Sequence, residues 1–155
     1  MGLFSFLKGA GEKLFGKKTE AAPAVDAAAV ERERKISAMQ SYLMGLGIEV
    51  ENLDLDMEED KVTVYGQVKH QADREKLILA LGNIEGVGSV DDRISVLVSE
   101  PEAEFYEVKS GDSLSKIAKH FYGDPMRYPE IFEANKPMLK HPDKIYPGQV
   151  LRIPK

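Results

Sequence analysis

The chain has 155 residues, enough for one mid-sized domain or two small ones. Its 43% hydrophobic and 30% charged residues are ordinary for a folded protein, so the composition does not predict disorder. It contains no cysteine, which excludes thiol nucleophiles, disulfide bonds and cysteine zinc sites, and which is typical of a reducing compartment.

The net charge of −5 is unevenly distributed along the chain. Residues 1–22 carry four lysines and two glutamates, residues 23–100 carry 8 basic and 16 acidic residues, and residues 101–155 carry 9 basic and 8 acidic residues. An acidic middle region repels phosphate backbones, so we expect no nucleic-acid partner. The same charge is compatible with cations.

Nothing in the sequence predicts a membrane span, because no run approaches the roughly 18 apolar residues that a transmembrane helix needs. The stretch from Met1 to Leu7 is apolar, but it has no preceding basic residue and no small-residue cleavage site, so it makes a poor signal peptide. The myristoylation pattern needs Ser or Thr where Phe6 stands. We therefore expect a cytoplasmic protein.

Residues 1–18 alternate between apolar, glycine and lysine positions. The apolar positions are Leu3, Phe4, Phe6, Leu7, Ala10, Leu14 and Phe15, and the lysines are Lys8, Lys13, Lys17 and Lys18. Three interpretations remain open: a frayed amphipathic tail, a membrane-surface anchor, and a segment that docks on the next domain. Gly9 and Gly11 interrupt a helix and favour docking.

An alanine-rich linker, Thr19 to Ala29, precedes a predicted helix that starts near Glu31 and ends around Gly45. Its apolar positions recur every three or four residues, at Ile36, Met39, Leu43 and Leu46. The period then changes to two. Two alternating runs on either side of the polar turn 58–61 predict a β-hairpin, with apolar positions at Leu53, Leu55, Met57, Val62 and Val64.

A second helix is predicted over Ala72 to Leu81, and Gly82-Asn83 is typical of a left-handed cap at its end. A third strand follows, with alternating apolar residues at Val90, Ile94, Val96 and Val98. The order helix, strand, strand, helix, strand predicts a three-stranded sheet with two helices on one face.

The last third of the chain follows a short linker, Ser99 to Glu104. A strand from Phe105, a Gly-Asp turn and the N-cap Ser113 lead into a helix with a buried apolar stripe. A second helix runs through Tyr128 to Asn135, and a closing strand covers Val150 to Pro154. The predicted fold class is therefore α+β, as α-β-β-α-β followed by β-α-α-β.

Both halves resemble known domains. The positions Gly86, Val87, Val90, Asp91 and Asp92 are similar to those of the BON domain, over about residues 30–98. Residues 105–154 resemble the LysM domain almost position for position, with Tyr128 where many LysM domains have Trp. Together with the Met-Gly-Leu-Phe start and residues 132–140, this order looks like the bacterial cytoplasmic potassium-binding protein family.

The resemblance implies a monomeric potassium-binding protein, acting as sensor or buffer, and not an enzyme. It implies four parts: an N-terminal segment docking on the BON domain (1–22), the BON domain (23–98), a linker (99–104) and the LysM domain (105–155). The end of the second helix and the Gly-rich N-terminal turn both offer carbonyl oxygens. With potassium as the ligand that the resemblance implies, the expected site comprises Leu7, Ala10, Glu12, Gly82, Ile84 and Val87.

Other chemistry is less well supported by the sequence. The acidic positions 54, 56, 58 and 60 imitate a calcium loop, but Glu59 occupies its glycine position and Tyr65 its bidentate carboxylate position, so a solvated hairpin face explains them better. His70, His120 and His141 are far apart, and no nucleophile, base and orienting group occur together.

The runner-up function is binding of peptidoglycan or another N-acetylglucosamine glycan in the cell envelope, and a third is a structural adaptor with no small ligand. The LysM domain is the expected contact for such a glycan or for an unidentified protein partner. Resemblance to LysM places a glycan groove at Gly111, Asp112, Ser113, Leu114, Pro137, Met138, Leu139 and Ile145. The competing interpretation is that these are turn and core residues, or that they contact the other domain.

Overall fold

The structure is a computed structural model that describes residues 2–15 and 27–154. Lys17, Lys18 and the predicted linker up to residue 26 lie outside the described residues. Within the described part, the N-terminal domain has a sheet of strand order β1-β4-β3-β2 and two helices. Its elements are β1 (Gly2–Ser5), α1 (Ala27–Gly45), β2 (Glu51–Glu58), β3 (Lys61–Val68), α2 (Gln71–Gly82) and β4 (Ser89–Val96).

The β2–β3 hairpin follows from the alternating pattern of its strands. Glu58 pairs with Lys61 across a two-residue turn, and the apolar members of both strands face a buried core. α2 then crosses from β3 to β4, which makes these two strands parallel. The predicted element order and the α+β class are confirmed.

β1 is a strand that the sequence pattern did not predict. It pairs antiparallel with β4, with Leu3 opposite Asp91 and Phe4 opposite Val90, and so adds a fourth strand to the predicted three. Phe4 packs against the core, whereas Leu3 is 64% exposed. Four alternating residues inside a longer apolar run are too few for periodicity to reveal a strand.

Two predicted helix boundaries are wrong. The described part of α1 begins at Ala27, inside the predicted linker, because its alanines favour the helix. α2 ends at Gly82, and Asn83 follows with φ −88° and ψ 15°, so neither forms a left-handed cap. The left-handed conformation lies farther along, at Gly86, where φ is 101°.

The C-terminal domain pairs β5 (Glu104–Glu107) antiparallel with β6 (Val150–Ile153). Between them lie α3 (Leu114–Tyr122), a 3-10 turn (Pro125–Arg127) and α4 (Tyr128–Ala134). Ser113 Oγ accepts from Lys116 N at 3.2 Å, which confirms the predicted N-cap. A second apolar core forms between the two helices and the two strands.

α2 lies at the junction of the two domains and packs against both. Its last six residues, 77–82, are all buried, as expected for a helix that is covered on every side. It packs on the sheet of its own domain and also contacts β6 of the C-terminal domain. None of the helices in the described part is long and apolar enough to cross a membrane.

Candidate cation site at the junction of the two domains

The α2–β4 turn, residues 83–88, carries buried backbone beyond the end of a helix. Ile84 and Val87 are fully buried, and Val87 N donates to Ile84 O at 3.1 Å. The last carbonyl groups of a helix lack partners within it and lie at the negative end of its dipole. The turn therefore presents oxygen atoms that suit a positive ligand.

The N-terminal segment, residues 2–15, is attached to this turn by main-chain hydrogen bonds. They run from Phe6 N to Gly88 O (2.9 Å), from Gly86 N to Lys8 O (2.8 Å), from Glu12 N to Asn83 O (2.7 Å) and from Glu85 N to Glu12 O (2.9 Å). Glu12 and Ile84 also form a parallel β-bridge. Residues 6–12 therefore form a loop held against the turn at both ends.

The six residues predicted for the potassium site all lie in these two stretches of backbone or at the end of α2. The carbonyl oxygens of Leu7 and Ile84 already accept bonds from Ala10 N and Val87 N, both at 3.1 Å. Among the residues that the structure describes, no donor bonds to the carbonyl oxygens of Ala10, Gly82 and Val87. Of the six predicted residues, these three therefore have a main-chain oxygen that no described donor occupies.

Two glycines allow the segment and the helix end to come this close. A Cβ atom at Gly82 would overlap the ring of Phe6, and one at Gly11 would overlap the carbonyl oxygen of Asn83. Gly11 also has φ 128°, which other residues rarely adopt. Gly82 is therefore needed for space and not, as the predicted cap implied, for a positive φ.

The C-terminal domain covers the same turn from another side. The amide of Asn83 exchanges two hydrogen bonds with the backbone of Val150, both 2.8 Å long. Tyr146 Oη donates to Asn83 O at 3.4 Å, and a Cβ at Gly148 would lie 2.5 Å from Leu7 Cδ2. Both stretches of the candidate site therefore contact the second domain.

Two half-buried phenols, Tyr42 and Tyr146, interact electrostatically with the exposed Glu12. Burial, followed by the charge of Glu12, raises the pKa of Tyr42 to about 12. Burial also raises the pKa of Tyr146, with further contributions from Tyr42 and Glu12. Both phenols are therefore neutral near pH 7.

A second polar contact at the junction involves residues that the sequence patterns did not single out. Glu75 of α2 accepts from Arg152 Nε at 3.0 Å and from Ala103 N at 2.9 Å. Neither Glu75 nor Asn83 is marked by any local pattern as a cross-domain contact, because each looks like an ordinary polar helix or turn residue. Their partners lie 77 and 67 positions away.

The predicted glycan-groove residues are divided between surface and interior. Gly111 is exposed, Ser113 caps α3, and the carboxylate of Asp112 accepts from Tyr106 Oη at 2.6 Å. Leu114 and Leu139 belong to the core, with Met138 and Ile145 packed against it.

Pro137 and Met138 lie at the junction. They line a crevice together with residues of the N-terminal domain, namely Ile48, Lys76 and Leu79. Met138 Sδ also accepts from Asn83 Nδ2 at 3.3 Å. One wall of the predicted groove therefore faces the other domain.

The acidic hairpin lies apart from the candidate site over most of its length. Asp54, Asp56 and Glu58 are exposed, and Leu55 N donates to Asp54 Oδ1 at 3.0 Å. Asp60 is the exception, because its carbonyl accepts from Gly88 N at 2.8 Å. In the described residues, His, Asp and Glu side chains do not gather into a group of three or more that suits a metal ion.

Comparison with known proteins identifies both domains. Residues 37–97 match the family model described as BON domain, and residues 106–154 match the one described as LysM domain. The chain is 44% identical over 155 residues to the "Potassium binding protein Kbp" of Escherichia coli O6:H1 (strain CFT073), covering 99% of each. It is 59% identical over 49 residues to an "Uncharacterized protein" of Deinococcus radiodurans, covering 32% of this chain and 19% of that one. The chain therefore belongs to the Kbp family and contains a BON domain followed by a LysM domain.

Proposed function

We propose that this protein binds a potassium ion between its N-terminal segment and the α2–β4 turn. The observation that carries the proposal is the set of three main-chain carbonyl oxygens, from Ala10, Gly82 and Val87, that no described donor reaches. Carbonyl dipoles replace the water shell of K⁺ in known selectivity filters. The name of the relative that matches nearly the whole chain, "Potassium binding protein Kbp", supports the same ligand.

The remaining members of the proposed site are Leu7, Glu12 and Ile84. The carbonyl oxygens of Leu7 and Ile84 each have a second lone pair beside their internal hydrogen bond. Glu12 adds negative charge beside two neutral phenols. We extend the proposal to a monomeric sensor or buffer in the cytoplasm that binds its ligand without catalysis, as the family resemblance implies.

Calorimetric titration of the whole chain with KCl, NaCl and CaCl₂ tests the ligand. Two variants two residues apart then test the site. Gly11→Ala forces a Cβ against the Asn83 carbonyl and should abolish saturable K⁺ binding, whereas Gly9→Ala meets no atom within 4 Å and should retain it. Absence of K⁺ binding in the unmodified chain contradicts the ligand, and equal binding by both variants contradicts the site.

A second candidate function is glycan binding, which the LysM match favours. Pro137 and Met138 face the N-terminal domain, so a glycan would reach only the wall formed by the Gly111–Ser113 turn. Titration with N-acetylglucosamine oligomers, followed by amide NMR shifts, tests this candidate. Saturable shifts at Gly111 and Asp112 support it, and unchanged spectra count against it.

A further inference from the structure

Asn83 connects three parts of the molecule and is only 5% exposed. Its N–H donates to Leu79 O of α2 at 2.9 Å, and its carbonyl oxygen accepts from Glu12 N of the N-terminal segment at 2.7 Å. Its side-chain amide both donates to and accepts from the backbone of Val150 in β6. Every polar atom of Asn83 is therefore engaged, in three separate directions.

Asn135 makes the same kind of contact within the C-terminal domain. Its Nδ2 donates to Arg152 O at 2.9 Å, and its Oδ1 accepts from Arg152 N at 2.8 Å. β6 pairs with β5 along one edge, so the two asparagines complete the other edge at positions 150 and 152. One of these two asparagines belongs to the N-terminal domain, and the other belongs to the domain that contains β6.

Asn83 also controls one of the proposed ligands. The Gly82 carbonyl and the Asn83 N–H belong to one planar peptide unit. The bonds that hold Asn83 in place therefore fix the direction of the Gly82 oxygen. Conversely, a cation bound to the Gly82 oxygen keeps the Asn83 backbone, and with it the side chain, in the position from which the amide bonds to Val150.

We infer that Asn83 is a positioning residue that couples cation binding to docking of the C-terminal domain. This inference rests on the proposed potassium function. The coupling is reciprocal: if docking strengthens ion binding by some factor, the ion strengthens docking by the same factor. Asn83 itself contributes no proposed ligand, because its carbonyl oxygen is already occupied by Glu12 N and Tyr146 Oη.

Amide hydrogen exchange of the whole chain, in KCl and in NaCl of equal ionic strength, provides the readout. Val150 N donates to Asn83 and reports docking, whereas Arg152 N donates to Asn135 within the C-terminal domain and reports the fold of that domain. We expect K⁺ to slow exchange at Val150 and to leave Arg152 unchanged. In Asn83→Ala, the K⁺ effect at Val150 should disappear, and K⁺ affinity should fall about tenfold, within the usual range of coupling between sites.

Asn135→Ala is the matched control. It should speed exchange at Arg152 and leave K⁺ affinity unchanged. If the role of Asn83 were purely structural, the two variants would not differ in K⁺ affinity. Unchanged K⁺ affinity in Asn83→Ala overturns the coupling while the proposed function stands. Absence of K⁺ binding in the unmodified chain overturns both. Equal K⁺ responses at Val150 and Arg152 also overturn the coupling, because the ion would then stabilise the C-terminal domain as a whole.

Discussion

Arg152 and Glu75 form an ion pair across the domain junction, with Arg152 Nη2 2.9 Å from Glu75 Oε1. Their side chains are only 11% and 3% exposed. Removing one partner of such a pair leaves a buried charge without compensation. We expect Arg152→Met to lower the free energy of unfolding by about 3–5 kcal/mol, measured by urea denaturation.

Two further variants control this experiment. The double change Glu75→Leu with Arg152→Met should cost less than the single change, because it leaves no unpaired charge. Arg93→Met breaks the exposed pair with Asp91 and should cost about 1 kcal/mol or less. Similar losses for Arg152→Met and Arg93→Met would show that the junction pair contributes no more than a surface pair.

Gly82→Ala should weaken both stability and K⁺ binding, because the new Cβ displaces Phe6 and with it the N-terminal segment. The matched control is Gly45→Ala at the end of α1, where a Cβ meets no atom within 4 Å. That variant should be neutral or more stable by about 0.5–1 kcal/mol, since alanine is the better helix former. Thermal melting with and without KCl measures both effects. Equal melting curves for the two variants would contradict the close packing of Phe6 on Gly82.

The acidic hairpin should not contribute to potassium binding. Neutralising Asp54, Asp56 and Glu58 together, as Asn, Asn and Gln, removes three exposed charges and leaves the junction unchanged. We expect K⁺ affinity within about twofold of the unmodified chain at 0.15 M salt, because screening weakens distant surface charges. Calorimetric titration measures it. A large loss of K⁺ affinity, together with a change in Ca²⁺ binding, would indicate that the cation site lies on the hairpin.

The acid stability of the C-terminal domain should depend on Tyr106. The hydrogen bond from Tyr106, and then the one from Lys109 N, lower the pKa of Asp112. Since the unfolded chain binds this proton more readily, the stabilisation is present above the unfolded pKa of about 4 and is lost as the pH falls through the folded pKa. Tyr106→Phe should raise the pKa of Asp112, which carboxyl NMR titration measures. The exposed Tyr65 offers the control Tyr65→Phe, and the same Asp112 midpoint in both variants would contradict the role of Tyr106.

Periodicity and capping were enough to predict most of the elements. The β2–β3 hairpin, the α2 crossover and the Ser113 cap all depend on residues close together in the chain. The left-handed cap predicted at the end of α2 was wrong, because a glycine followed by asparagine is also compatible with a helical Gly82 packed against Phe6. β1 went unpredicted because its pairing with β4 depends on a partner about ninety residues away.

The candidate site could be predicted only in part for the same reason. Glycines and a helix end mark the two backbone stretches, and the proposed ligand comes from the family resemblance. The contact of Asn83 with Val150 connects residues 67 positions apart and leaves no periodic pattern in either segment. The contact between Leu7 and Gly148 joins residues that are even farther apart in the sequence, and only the folded chain reveals it.

Asn83 and Asn135, which both hydrogen-bond to the backbone of β6, also bear on self-association. An edge strand whose N–H and C=O groups are unpaired is a template for pairing with another chain. Asn135 covers only position 152, so a molecule with separated domains would present the backbone of Val150 to its neighbours. Docking of the N-terminal domain therefore covers backbone of the smaller sheet that would otherwise be open to pairing with another chain.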